Sequence, residues 1–134
     1  MIAFDTNLLV RLMVEDDAAQ LRKARGVIRE ATEREEKILV TDIVLAELEW
    51  VLEFSYDVPR ERILSTISDL AGDGRFCFED RQRITDALDL YQAGKGDLAD
   101  YLLGLPGEVG GARTTYTFDR GLRGDYSRFT WLAA

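Results

Sequence analysis

The 134-residue sequence contains no histidine and one cysteine, and each scarcity closes off chemistry. Without histidine there is no Ser-His-Asp or Cys-His arrangement, and the usual zinc ligand sets are missing as well. Acid–base work must fall to carboxylates, a lysine or water held by a metal. Cys77, between Phe76 and Phe78, has no partner for an internal disulfide, so it reads as a small core residue in a reducing compartment. Long apolar runs are also absent. Met1 to Phe4 is too short for a signal h-region and follows no basic segment, which points to a soluble, cytoplasmic protein without membrane association. No tract of Lys and Arg is present either: 17 basic residues stand against 25 acidic ones, for a net charge of −8, an unfavourable balance for gripping nucleic acid.

What is present suits one globular domain. With 46% hydrophobic residues, the chain can bury one core, and its length makes residues 1–134 a single domain of ordinary size. Short apolar runs alternate with amphipathic segments, the pattern of an α/β fold whose central parallel sheet, of about four or five short strands, is flanked by helices. Strands are expected at Met1 to Phe4, Ile38 to Val40, Phe76 to Phe78, Thr114 to Phe118 and, at an edge, Phe129 to Leu132. Helices are expected from Asn7 to Val14, from Ala18 to Arg34 behind Asp16 or Asp17, and from Thr41 or Asp42 to Phe54. Others run from Pro59 to just before Gly72, from Asp80 to Ala93 with Ile84, Ala87, Leu88 and Tyr91 on one face, and from near Asp97 past Leu103.

Five carboxylates stand out against this framework. Asp5 ends the first strand and Asp119 follows a later one, which sends both to the carboxyl edge of the sheet, where open α/β folds place ligands. Each also has an ordinary reading, Asp5 as a helix N-cap and Asp119 as the turn residue of Asp-Arg-Gly. Glu47 adjoins the stripe Val44, Leu48 and Val51 and is expected to face inward, whereas Glu49 and Glu53 look like solvated acids. An inward carboxylate without a partner costs several kcal/mol, so Glu47 would need a cation or hydrogen-bond donors. Asp97 and Asp100 lie one helical turn apart on one face, where like charges repel. Oxygen ligands without imidazole or thiolate favour Mg2+ or Mn2+. Such ions acidify water and stabilise a departing oxyanion, chemistry suited to phosphodiesters.

The residues themselves carry a resemblance. Phe4-Asp5-Thr6-Asn7, the stretch from Leu45 to Leu52, Gly96-Asp97-Leu98-Ala99-Asp100-Tyr101-Leu102 and Thr117-Phe118-Asp119-Arg120 resemble the four acidic blocks of PIN-domain ribonucleases. Length and spacing are similar to those of VapC toxins of bacterial toxin–antitoxin pairs. Each block alone is weak, but four in order over nearly the whole chain are specific. The resemblance implies a PIN-like domain and a Mg2+-dependent endoribonuclease that cuts single-stranded RNA, often tRNA or rRNA, and is neutralised by a cognate VapB-like antitoxin. By matching position it makes Asp5, Glu47, Asp100 and Asp119 the catalytic and metal-binding acids, with Asp97 accompanying them. Thr6 or Asn7 would orient Asp5, and Thr117 would contact water on the metal. The family also implies a homodimer.

Around the blocks, Arg11, Lys95, Arg120 and Arg123 are candidates to meet RNA phosphates, although each also suits a solvated surface. Trp50, Phe54 and Tyr56 form a candidate aromatic patch for an antitoxin or a second copy, with core packing the stronger reading of Trp50. Two other functions compete. A phospho-signalling receiver is also a small α/β domain with an acidic Mg2+ pocket, but it needs a lysine at a strand end, and no strand here ends in one. A catalytically silent, protein-binding PIN scaffold would keep the acids without the reaction.

Overall fold

Five strands of two or three residues organise the computed structural model, which describes residues 1–104, 111–122 and 129–133. Strands β1 (Ile2–Ala3), β2 (Ile38–Val40) and β3 (Phe76–Phe78) form a parallel ladder in the order β1-β2-β3. Its register sets Ile2 opposite Ile38 and Ile38 opposite Phe76. Strands β4 (Thr115–Thr117) and β5 (Phe129–Trp131) form a second parallel ladder, with Thr115 opposite Phe129. The strands thus lie where the apolar runs predict them. Among the described residues their bonds make two ladders instead of one continuous sheet.

Parallel pairing needs crossovers, and the helices supply them. Helix α1 (Thr6–Val14) follows β1, α2 (Ala18–Glu33) leads into β2, and α3 (Asp42–Tyr56) follows β2. Helix α4 (Arg60–Gly72) precedes β3, and α5 (Arg81–Ala93) and α6 (Leu98–Gly104) follow it. Local chemistry starts most of them. Asp5, Asp17, Thr41 and Asp80 each accept a hydrogen bond from a first-turn N–H. Asp17, not Asp16, is therefore the cap of α2, and Pro59 stands one residue before α4, where its missing N–H costs nothing.

The core fills the space between helices and the first ladder. Leu9, Ile38, Val40, Leu45, Leu48, Ile63, Ile67, Ile84 and Leu98 are all but sealed from solvent. The stripe Ile84, Ala87, Leu88 and Tyr91 is buried as the periodicity of α5 predicts. Helix α3 lies centrally, packing against α1, α4 and α6, so its two flanks carry different neighbours. Trp50 corrects the sequence reading: it is 54% exposed and packs, tilted, at a ring-centroid distance of 5.1 Å against Phe54, itself exposed, instead of entering the core. Cys77 is half-buried rather than sealed. No helix among the described residues is long and apolar enough to cross a membrane.

Candidate active site

The junction of β1 and α1 places the first acid. Asp5 caps α1, its Oδ1 accepting from Thr6 N at 2.6 Å, so the ordinary reading of this residue is realised in the fold. The cap does not use the carboxylate up, because only Oδ1 takes part in it and Asp5 stays exposed. Thr6 is buried, and its hydroxyl donates to Oε2 of Glu47 at 3.3 Å. One threonine therefore holds acids from two blocks, Asp5 beside it and Glu47 a further 41 residues along the chain. Asn7 is exposed beside them and begins a shallow cleft with Leu8, Arg11 and Lys23 along its walls.

Helix α3 turns a different face inward than its sequence suggests. Glu47 is exposed, whereas Glu49 is only 1% exposed and lies among buried Leu45, Leu48 and Leu52. Those four positions follow the i, i+3, i+4, i+7 template of an amphipathic helix, as did the rival stripe with Val44 and Val51. Apolar residues occupy so much of α3 that periodicity alone selects neither face, and the charge of Glu49 argues for the wrong one. Burial pushes the Glu49 carboxyl up to about 7, with the nearby charge of Asp97 acting in the same direction. Glu53, also expected to be solvated, is half-buried, and its Oε2 has no hydrogen-bond partner among the described residues.

The start of α6 carries the next pair. Asp100 Oδ2 accepts from Asp97 N at 2.9 Å, so a third-position carboxylate reaches back to the residue before the helix. Burial raises the Asp100 carboxyl above its usual range, the N–H of Asp97 opposes this, and the charges of Asp97 and Asp119 add to it. The preceding loop is tightly held. Arg60 donates to the carbonyls of Tyr91 and Gly96, each at 2.7 Å, while Tyr101 Oη accepts from Gly96 N at 3.0 Å. A Cβ on Gly94 would lie 2.0 Å from that hydroxyl, which fixes glycine there by close approach.

Asp119 follows β4 in a tight turn, its N–H donating to Thr117 Oγ1 at 3.0 Å and its Oδ1 accepting from Gly121 N at 2.8 Å. Thr117 thus braces the turn that presents Asp119. The backbone of Gly121 adjoins that of Lys95, bringing the Asp119 turn beside the loop that leads to Asp97 and Asp100.

The structure therefore joins Asp5 to Glu47 through Thr6, and brings Asp119 close enough to Asp100 for its charge to act there. The acids with oxygens mutually within 4.8 Å as a triplet, among the described residues, are instead Glu49, Glu53 and Asp97. Sequence reading passed over Glu49 and Glu53, although Glu49's place between Leu45 and Leu52 was a usable signal. Of the candidate basic residues, Arg11 is half-buried and tied to Asp16, Gln20 and Tyr56, which also removes Tyr56 from the exposed aromatic patch. Lys95 and Arg120 are exposed near Asp119, and Arg123 lies outside the described residues, as does most of the Pro106 to Gly111 connection.

Comparison with known proteins places these residues in context. The model of a family described as PIN domain matches residues 2–123. A protein named VapC ribonuclease, from Aquifex aeolicus (strain VF5), is 25% identical over 116 residues, which cover 87% of this chain and 85% of that protein.

Proposed function

Because the chain belongs to the PIN domain family, we propose that it is a Mg2+-dependent endoribonuclease of the VapC toxin type, a single PIN domain over residues 1–134. The observation that carries this reading is Thr6, which connects Asp5 and Glu47 at the end of β1 while the charge of Asp119 acts on Asp100. Donor chemistry fits the ion: the side chains are carboxylates, Asp5, Glu47 and Asp119 are accessible, and Asp100 is held in a field of negative charge that a cation would relieve. When bound, the ion supplies positive charge at the scissile phosphate and acidifies a water molecule.

The chain's own residues do the positioning. Asp5, Glu47, Asp100 and Asp119 hold the ion, with Mn2+ an acceptable substitute for Mg2+. Thr6 fixes the spacing of the first two acids, and Thr117 fixes the turn of the fourth. Lys95 and Arg120, exposed beside that turn, meet the RNA backbone, while Arg11 serves mainly to tie α1 to α2. The substrate is a single-stranded stretch of RNA such as occurs in tRNA or rRNA, and a VapB-like antitoxin neutralises the enzyme in the cytoplasm. The exposed stripe of Ile43, Trp50 and Phe54 on α3 is its protein-contact surface, used by a second copy in a homodimer.

Incubation of the purified, partner-free protein with single-stranded RNA tests the activity. Cleavage should require Mg2+ or Mn2+ and stop in EDTA. Cleavage indifferent to chelation would sink the mechanism, and none under any metal would leave a silent binding scaffold.

A further inference from the structure

We propose that Glu49, Glu53 and Asp97 form a second cation site, apart from Asp5, Glu47, Asp100 and Asp119, which takes a hard divalent ion and ties α3 to the start of α6. Oxygens of these three side chains lie mutually within 4.8 Å. A triangle no larger than that has its centre within about 2.8 Å of every corner, nearer the ligand distances of Ca2+ than the tight octahedron of Mg2+. Glu49 is 1% exposed, and among the described residues its one hydrogen bond is from Leu98 N to Oε1, at 3.3 Å. None of the three acids has an ion pair among the described residues.

A second observation points into the same space. Tyr91 is only 1% exposed, yet its hydroxyl has no hydrogen-bond partner among the described residues. The charges of Glu49, Glu53 and Asp97 all act on it. A buried phenol within reach of the charge of three carboxylates, and bonded to none of the described residues, leaves a donor for water in an ion's shell, and Glu53 Oε2 is without a described partner in the same way. The neighbouring cation does not fill the role: the Arg60 guanidinium lies 3.8 Å over the Tyr91 ring and gives its hydrogen bonds to backbone carbonyls.

The site is distinct from the proposed catalytic acids by helix geometry. Glu47 and Glu49 are two residues apart, about 200° around α3, so one meets Thr6 and the other meets α6. An ion between Glu49, Glu53 and Asp97 would fix the residue whose N–H Asp100 accepts, and so would order α6 where it presents Asp100.

Ion binding to the intact chain provides the test, with Ca2+ read by thermal unfolding and Mn2+ counted by electron paramagnetic resonance. The Asp5→Asn/Glu47→Gln protein should still bind one Mn2+ per chain, and Ca2+ at a hundred times its Kd should raise its Tm by roughly 5–10 °C. Adding Glu53→Gln to that protein should remove both responses; Asp97→Asn replaces it if the triple variant does not fold. No Ca2+ response in Asp5→Asn/Glu47→Gln would mean that the acids share protons, and a response that survives Glu53→Gln and Asp97→Asn would place the ion elsewhere. Either result overturns the proposal. RNA cleavage is not the readout, so failure here and failure of the nuclease reading remain distinguishable.

Discussion

The Thr6 hydroxyl donates to Glu47 Oε2 at 3.3 Å while the same residue's N–H bonds Asp5, which makes a buried threonine the connection between two acid blocks. A hydrogen bond to a charged group contributes about 1.5–3 kcal/mol, and about 1.4 kcal/mol is tenfold in rate. Thr6→Val keeps the volume and loses the bond. It should lower kcat for RNA cleavage roughly tenfold with KM little changed, and an unchanged kcat would remove Thr6 from the positioning role.

Asp5 serves two ends, and substitution chemistry separates them. Asparagine is as good an N-cap as aspartate, so Asp5→Asn should unfold within about 0.5 kcal/mol of the parent in urea yet lose cleavage by at least about a hundredfold. Asp5→Ala should add about 1 kcal/mol of destabilisation through the lost cap. Asp100→Asn should be equally inactive. Wild-type cleavage by a folded Asp5→Asn or Asp100→Asn protein would show that these acids are not the ligands.

Gly94 and Tyr101 test the loop behind Asp97. A Cβ at Gly94 would meet Tyr101 Oη at 2.0 Å and the Leu90 carbonyl at 3.0 Å, so Gly94→Ala should cost about 1–3 kcal/mol in urea unfolding. Tyr101→Phe alone leaves the buried Gly96 N–H unpaired and is also destabilising. Because the first clash is with the hydroxyl, the double variant should be more stable than the sum of the single losses implies. Simple additivity would mean that the loop relaxes away from Tyr101.

Glu49 gives the metal-free protein a pH signature. Its carboxyl is raised from 4.5 to about 7 in the fold, so the folded state holds a proton that the unfolded chain releases. Stability from this group is complete below about pH 4.5 and declines as pH rises through about 7, by at most about 3 kcal/mol. In EDTA, urea unfolding of the parent should show this decline, and Glu49→Gln should flatten it. Equal slopes for the two proteins would count against a buried, protonated Glu49.

Trp50 is exposed and touches only exposed Phe54 among the ring contacts of the described residues, so Trp50→Glu should change stability by no more than about 0.5 kcal/mol. Sedimentation should show a dimeric parent and a monomeric variant. A dimer that survives the substitution would place the homodimer contact elsewhere.

Much of the fold was written locally. Asp5, Asp17, Thr41 and Asp80 announce helix starts because a short polar side chain satisfies a free first-turn N–H, and the strands Ile38 to Val40 and Phe76 to Phe78 are bounded by turn and capping residues. The four acid blocks were legible for the same reason: their spacing and residue types are properties of the chain, and they identify the family before any contact is known. Helix α3 marks where this ends. Its apolar residues occupy nearly every direction, so the choice between burying Glu47 and burying Glu49 depends on which flank α1 and α6 cover. The sequence by itself therefore determined the order of elements, the caps and the set of candidate acids. Only tertiary packing decided that Glu47 stays at the surface with Thr6 while Glu49 joins Glu53 and Asp97, because burial is a property of neighbours brought together from distant parts of the chain.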